Sequence, residues 1–242
     1  MRAIKTGQPV KDVMMGVTVP GRDDVWILVS AMPLFKEGKL TQVYAIFEDV
    51  SERQRMQQQL RQLAYVDPLT QLPNRRLLLD RLSQVLNQRS ATFGALMFLD
   101  LDNFKPLNDQ CGHEAGDILL KEVAHRLQAC VREADTVARF GGDEFVVMLP
   151  DLSTDESESA LHAQAIAEKI RARLAEPYTL EVTQNGNGVS MVEHSCTASV
   201  GLTLFLHNED SLDALLQRAD SAMYRAKEGG RNMVRYLTGH KL

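Results

Sequence analysis

Cysteine is scarce in this sequence. The three that occur, Cys111, Cys130 and Cys196, are odd in number and lack metal-ligand spacing. That excludes a disulfide scaffold and a cysteine-held zinc site, fits a reducing cytosol, and leaves each as a small buried apolar residue. An excess of positive charge is also missing: 27 Lys and Arg face 32 Asp and Glu, for a formal net charge of -5. Wholesale electrostatic binding to nucleic acid is thereby excluded. No apolar run approaches the ~18 residues of a membrane helix. The longest, Val25–Phe35, is interrupted by Ser30 and Pro33, so no membrane contact is expected from this segment. Met1–Lys11 has no apolar core and is not a secretory signal. Internal repeats are absent, and the one polar-biased stretch, Asp151–Ser159, reads as a loop and helix start. What remains, 44% hydrophobic and 24% charged residues in 242, is ordinary globular composition. At roughly 150 residues per domain the chain holds one domain with an appendage, or two small ones.

The first fifty residues read as β-structure. Val13–Thr18 is a short apolar run, Pro20–Asp24 a turn cluster, and Val25–Val29 is β-branched and aromatic. Lys36–Lys39 makes a second turn before a third strand, Thr41–Phe47. So short an antiparallel meander has a face to bury and little to bury it against. It reads as the end of a domain whose beginning lies outside this sequence, with Trp26 in its core. From Ser51, a good N-cap, the segment Glu52–Ala64 lacks Gly and Pro, and Met56, Leu60 and Leu63 recur at four-then-three spacing. A dimerising seam is expected, with a plain connecting helix as the alternative. Pro68 and Pro73 end this stretch.

Beyond it helix and strand alternate. Helices are expected over Arg75–Gln88, Ala115–Val131, Glu156–Ala175 and Ser211–Glu228. Strands are expected over Gly94–Asp100, Thr136–Phe140, Phe145–Leu149, Tyr178–Thr183, Val189–Phe205 and Met233–Tyr236, with loose turn residues at Asn185–Gly188. An antiparallel hairpin amid mixed order predicts an α+β sandwich, a sheet covered by helices.

Two acidic clusters carry chemistry. In Phe98-Leu99-Asp100-Leu101-Asp102, alternation puts both acids on one side of a strand. In Gly141-Gly142-Asp143-Glu144-Phe145 they sit at a hairpin tip. Carboxylates at the ends of buried strands are costly unless paired, and neighbours raise one another's pKa unless a cation neutralises them. Hard oxygen donors point to Mg²⁺ or Mn²⁺, which keeps water and phosphate in its shell, and so to phosphoryl or nucleotidyl transfer. Taken singly, Gly-Gly-Asp is a turn and Asp-x-Asp a solvated strand end.

Together with other segments these clusters resemble the GGDEF domain of diguanylate cyclases. Arg139-Phe140 precedes the signature Gly141–Phe145, and Asp67–Arg76 matches the opening segment. Asp100–Lys105, Asn108-Asp109, Gly112-His113 and Gly116-Asp117 match the first substrate-binding stretch. Ser199–Gly201, Ala219-Asp220, Met223-Tyr224, Ala226-Lys227 and Gly230–Asn232 match the later motifs. The resemblance covers about Ala64 to Leu237 and implies a palm-like α+β fold with a central mixed sheet flanked by helices. The implied domains are 1–50, resembling the C-terminal part of a PAS sensor; 51–66, a signalling helix; and 67–242, the cyclase.

The implied reaction joins two GTP into cyclic di-GMP with release of two pyrophosphates, across a homodimer in which each domain holds one GTP. Asp100, Asp143 and the Leu101 carbonyl would hold two divalent ions, Mg²⁺ or Mn²⁺. Glu144 would act at the metal or at the 3′-hydroxyl. Gly141 and Gly142 would let nucleotide lie against the backbone. Asn108 and Asp117 would read the guanine edge, although residue type alone favours a turn residue and a helix N-cap. Lys227 and Arg231 would clamp the β- and γ-phosphates, or else form a solvated helix end. Lys105 and the amides near Asn103 and Phe104 would complete the cradle. Arg132-x-x-Asp135 resembles an inhibitory product site, with a helix-end salt bridge as the alternative. The rival function is a silent GTP- or product-binding module that controls an attached domain. The segment is expected to be cytoplasmic, whatever anchors the full-length protein outside it.

Overall fold

A computed structural model describes residues 2–18, 21, 24–183, 189–207 and 211–238. The expected turn at Asn185–Gly188 lies outside these, as does part of the Pro20–Asp24 turn. The chain divides into two units, residues 1–64 and 65–242.

The first unit opens with α1 (Arg2–Thr6), followed by β1 (Val10–Val17), β2 (Val25–Lys36) and β3 (Lys39–Asp49). The strands form an antiparallel sheet in the order β1-β2-β3, with Ala31 opposite both Val10 and Ala45. Successive strand residues face opposite ways, and β3 exposes Tyr44 and Ile46 on one side and Phe47 on the other. Both faces are therefore apolar. Trp26, expected in a core, is 41% exposed; its ring lies across Gly16 of the neighbouring strand, in a sheet that has no second layer of strands among the described residues of its unit.

Next comes α2 (Ser51–Tyr65), whose N-cap is not Ser51. The Gln54 amide donates to the Val50 carbonyl, so Val50 is the boundary residue. The Ser51 hydroxyl instead accepts from the Trp26 amide at 2.8 Å. Asp49 receives the Ser51 amide at 2.9 Å, and its hydrogen bonds with Ser51 lower its pKa. Met56 and Leu63 of the expected seam are exposed; the Leu60 side chain lies outside the described set.

The second unit runs α3 (Arg75–Leu86), β4 (Phe93–Asp102), α4 (Phe104–Cys111), α5 (His113–Cys130), β5 (Thr136–Gly141) and β6 (Glu144–Leu149). It continues with α6 (Glu156–Leu174), β7 (Tyr178–Thr183), β8 (Val189–His194), β9 (Thr197–Leu206), α7 (Leu212–Glu228) and β10 (Val234–Leu237). Five strands form one mixed sheet, β10-β9-β4-β6-β5, in which only the β10–β9 pair is parallel. β7 and β8 pair separately. The single strand expected over Val189–Phe205 is thus two, broken at Ser195-Cys196 and shared between two sheets. α4 adds a helix to the expected set: its eight residues carry a proline in the first turn, yet Phe104, Leu107 and Cys111 recur at i, i+3, i+7 and pack on the core.

Alternation along β4 sorts the core onto the two faces of the sheet. Leu99 and Leu101 pack with Leu119, Leu127 and Ile170 of α5 and α6. Leu96 and Phe98 pack with Leu78, Leu82 and Met223 of α3 and α7. Each such side chain contributes about 1.5–3 kcal/mol by leaving water. The approach of α7 is closest at Gly201, where an added Cβ would stand 2.1 Å from both the Ala219 carbonyl oxygen and the Met223 nitrogen. All three cysteines are free, and Cys130 and Cys196 are buried. Burial pushes the Cys196 thiol up to about 12, as an inert packing residue requires.

Candidate active site

The helices over the α3/α7 face leave one end of the sheet open, and the acids gather there. β4 and β6 place Asp100 directly opposite Glu144, which puts their Cβ atoms about 4.5–5.5 Å apart on one face. Asp143 precedes Glu144 at the hairpin tip, where the Leu101 amide donates to its carbonyl at 3.3 Å. Burial raises the pKa of Asp100; Asp143 and Asp102 add to the rise, and the hydrogen bond from Lys227 opposes it. Burial likewise raises Glu144, followed by repulsion from Asp100, Asp143 and Asp220. Among the described residues one cation is paired with this crowd: Lys227 in the last turn of α7 sits 2.6 Å from Asp100 Oδ2.

The second acid of the strand does something else. Asp102 is buried and accepts from the Thr197 hydroxyl at 2.6 Å, the Ser199 hydroxyl at 2.7 Å and the Asn232 amide at 3.0 Å. It shares a face with Asp100, as expected, yet it fastens β4 to β9 and to the exit from α7. That exit carries Arg231, exposed and in the left-handed region at φ +63°, whose amide donates to the Ala226 carbonyl.

At the start of α4, Asn103 adopts φ +58° and its side chain caps nothing. The first amides of that helix therefore keep their donors free, beside half-buried Phe104 and exposed Lys105. Further along, the Asn108 side chain presses on Gly116, where an added Cβ would lie 2.0 Å from Asn108 Oδ1. That oxygen is buried without a hydrogen-bond partner, an open valence of the kind a ligand donor satisfies. Asp117 follows on the exposed side of α5. It is not the N-cap; that position is Gly112.

The hairpin is held from outside. Arg139 donates to the Gly142 carbonyl through Nε at 2.9 Å and Nη2 at 2.8 Å, and pairs with Asp67 at 3.1 Å. Asp67 also accepts from the Thr70 amide and hydroxyl. Burial pushes its pKa up, but the Thr70 and Arg139 hydrogen bonds outweigh that and hold it below the usual carboxylate range. Gly142, at φ +52°, favours glycine. Gly141 does not on the fold's account: its φ is ordinary, and an added Cβ would meet nothing within 4 Å.

Arg139, Asp67 and Asp102 escaped the sequence reading as positioning groups. The first two had a local signal, Asp67 three residues before Thr70 and an arginine just ahead of the Gly-Gly turn.

Arg132 and Asp135 lie away from this cluster and pair with each other, Nε to Oδ1 at 3.3 Å, while Arg132 Nη2 donates to the Asp151 carbonyl at 2.6 Å. Asp135 also lines a cavity of about 280 Å³ with Arg81, Gln84 and Glu133.

Among the described residues no three His, Cys, Asp or Glu side chains converge tightly enough to enclose a metal. The donor set still suits Mg²⁺, which takes one or two carboxylates and completes its shell with water and phosphate. Lys227 marks where positive charge is wanted.

This fold and hairpin make the second unit a GGDEF-type α+β domain. A family model described as "Diguanylate cyclase, GGDEF domain" matches residues 64–233, and the chain belongs to that family. MucR of Pseudomonas aeruginosa, named a bifunctional diguanylate cyclase/cyclic di-GMP phosphodiesterase, is 43% identical over 180 residues, covering 74% of this chain and 24% of that protein. PdeR of Escherichia coli, named a cyclic di-GMP phosphodiesterase, is 38% identical over 190 residues, 78% of this chain and 26% of that protein. The coiled coil and GGDEF domain of DgcB from Caulobacter crescentus, solved in complex with c-di-GMP, matches with TM-score 0.65 at 28% identity, covering 78% of this chain and 93% of that one. This chain spans about a quarter of the length of those curated relatives. The family match leaves most of the N-terminal unit outside its span, and no helix among the described residues is long and apolar enough to cross a membrane.

Proposed function

We propose that the second unit is a diguanylate cyclase that condenses two GTP into cyclic di-GMP, each half-reaction occurring between two domains face to face. The observation that carries this reading is Asp100 opposed to Glu144 at the end of the sheet, with Lys227 on Asp100, in a chain of this family. Asn108, half-buried at the corner where its Oδ1 lacks a partner, and Asp117 orient guanine, the carboxylate accepting from N1–H and N2–H₂ and the Asn108 amide NH₂ donating to O6. The free amides of α4, Lys105, Lys227 and Arg231 hold the β- and γ-phosphates. Asp100, Asp143, Glu144 and the Leu101 carbonyl would hold Mg²⁺ or Mn²⁺, which when bound supplies charge stabilisation for the nucleophile and for the leaving pyrophosphate. The 3′-oxygen of one GTP forms a bond to the α-phosphorus of the other, and the bond to the β-phosphate oxygen breaks, the electron pair leaving with pyrophosphate. Glu144, its proton affinity raised by burial and neighbouring acids, takes the hydroxyl proton.

Arg132 and Asp135 serve as the product site, where cyclic di-GMP would have to enter a pair already formed. The three-stranded sheet fits the C-terminal part of a PAS-like sensor, and α2, with Met56 and Leu63 exposed, fits a signalling helix that draws two copies together.

The test is incubation with GTP and Mg²⁺ and chromatographic resolution of cyclic di-GMP, beside Asp143→Ala. Product from the native chain alone, at a specific activity that climbs with protein concentration, is expected. Turnover by the variant would refute the site. Tight GTP binding without turnover by either chain would favour the silent regulatory module.

A further inference from the structure

A cavity of about 620 Å³ opens beside the Gly141-Gly142 turn, lined by Asp67, Arg75, Arg76, Arg139, Phe140 and the two glycines. Its charge is unbalanced. Arg139 is spent on Asp67 and the Gly142 carbonyl, which leaves two guanidinium groups. Arg75 lies over the Phe140 ring at 4.6 Å, and Arg76 over Tyr65 at 5.2 Å. Both are exposed, and neither has a carboxylate partner among the described residues. Two uncompensated guanidinium groups beside an aromatic ring suit a phosphate with a flat or apolar group attached.

The chain's own GTP meets this cavity only at its Gly141-Gly142 edge and does not use Arg75 or Arg76. Its base is read from α4 and α5, and its terminal phosphates are held at the end of α7. The cavity lies on the remaining side, where α3 covers β5, and the acids of β4 and β6 stand between. In-line displacement requires the attacking oxygen to arrive opposite the departing pyrophosphate. With pyrophosphate on the Lys227 and Arg231 side, attack comes from the α3 side.

We propose that Arg75 and Arg76 form an acceptor subsite for the ribose-phosphate end of the nucleotide held by a second copy of this chain. The inference rests on the cyclase reading. Within it, the subsite aligns the incoming 3′-hydroxyl and makes each bound nucleotide part of the contact between copies.

The test compares the native chain with the exposed double variant Arg75→Ala/Arg76→Ala, its fold checked by circular dichroism. The probe is the α,β-methylene analogue of GTP with Mg²⁺, which cannot release pyrophosphate. Analogue affinity measured on dilute, monomeric chain should stay within about twofold, because these arginines do not touch the chain's own nucleotide. Analogue-driven self-association, followed by analytical ultracentrifugation, should weaken at least about tenfold, as should turnover at saturating GTP. A parallel loss of affinity in the monomer would assign the arginines to the chain's own nucleotide and overturn the proposal. So would unchanged association, or a native chain that the analogue does not draw together. If the native chain binds the analogue and associates but makes no cyclic di-GMP, the cyclase reading fails, while loss of association in the variant still upholds the subsite.

Discussion

Gly116→Ala tests the base-reading corner of the site with a single methyl group. The new Cβ would stand 2.0 Å from Asn108 Oδ1, 3.0 Å from its Cγ and 3.1 Å from Phe104 Cζ. Non-bonded carbons rest at about 3.5–4.0 Å, so the amide must move by more than about 1 Å. Alanine gains about 1 kcal/mol of helix propensity inside α5, against roughly 1–3 kcal/mol for overpacking. The fold should therefore survive with a modest change in Tm. Misplacement on this scale can cost about a hundredfold in function, and GTP affinity is expected to fall by about 10- to 100-fold. Titration calorimetry with the non-reacting analogue reads the affinity, and circular dichroism reads the fold. The decisive comparison is a cycle with Asn108→Ala, which removes the oxygen that clashes. On that background Gly116→Ala should add almost nothing, since the two changes act through one contact. Native affinity in Gly116→Ala, or fully additive losses in the double variant, would refute the reasoning.

Three further outcomes follow from contacts already described. Gly201→Ala drives a methyl into the α7 backbone at 2.1 Å from two atoms; it should cost about 3 kcal/mol or more and lower the thermal midpoint sharply. Asp102→Ala leaves two hydroxyls and the Asn232 amide without an acceptor, and denaturant titration should show a loss of about 3–5 kcal/mol. Glu144→Gln should stabilise the metal-free domain at pH 7. Its folded pKa is raised, so the folded state holds the proton more tightly than the unfolded one, and stability falls as pH climbs through the interval above the ordinary glutamate value. Solvent screening limits the gain to under about 1 kcal/mol, or about 1–3 °C. A Tm difference between variant and native chain that persisted below pH 4, where both side chains are neutral, would contradict this origin.

The features legible in the sequence were those with a local period or a local string. The helical stripe at Leu119, Val123 and Leu127 and the apolar run of β4 lie where expected. So does the hairpin around Gly141-Gly142-Asp143. Signals that end at long range were not legible. Asp102 has partners 95, 97 and 130 residues away, and no window along the chain distinguishes it from Asp100. The break between β8 and β9 hides because alternation continues across Ser195-Cys196 while the strands join different sheets. Trp26 reads as core because composition reports that a residue is apolar, while exposure depends on what else packs against its sheet. Of the candidate site, the acids were visible one by one, but the Lys227 contact and the fit of Asn108 against Gly116 needed the fold.

The division of labour between Asp100 and Asp102 bears on how this site can change. A lineage or an engineer seeking a different ion preference has Asp100 to vary, because among the described residues its carboxylate is paired with one side chain, Lys227. Asp102 is closed to such tinkering: it rivets three chain segments at once, and loosening it would unseat Arg231 before altering any ion. Two letters that look interchangeable in the sequence therefore answer to different selective pressures, one to chemistry and the other to carpentry.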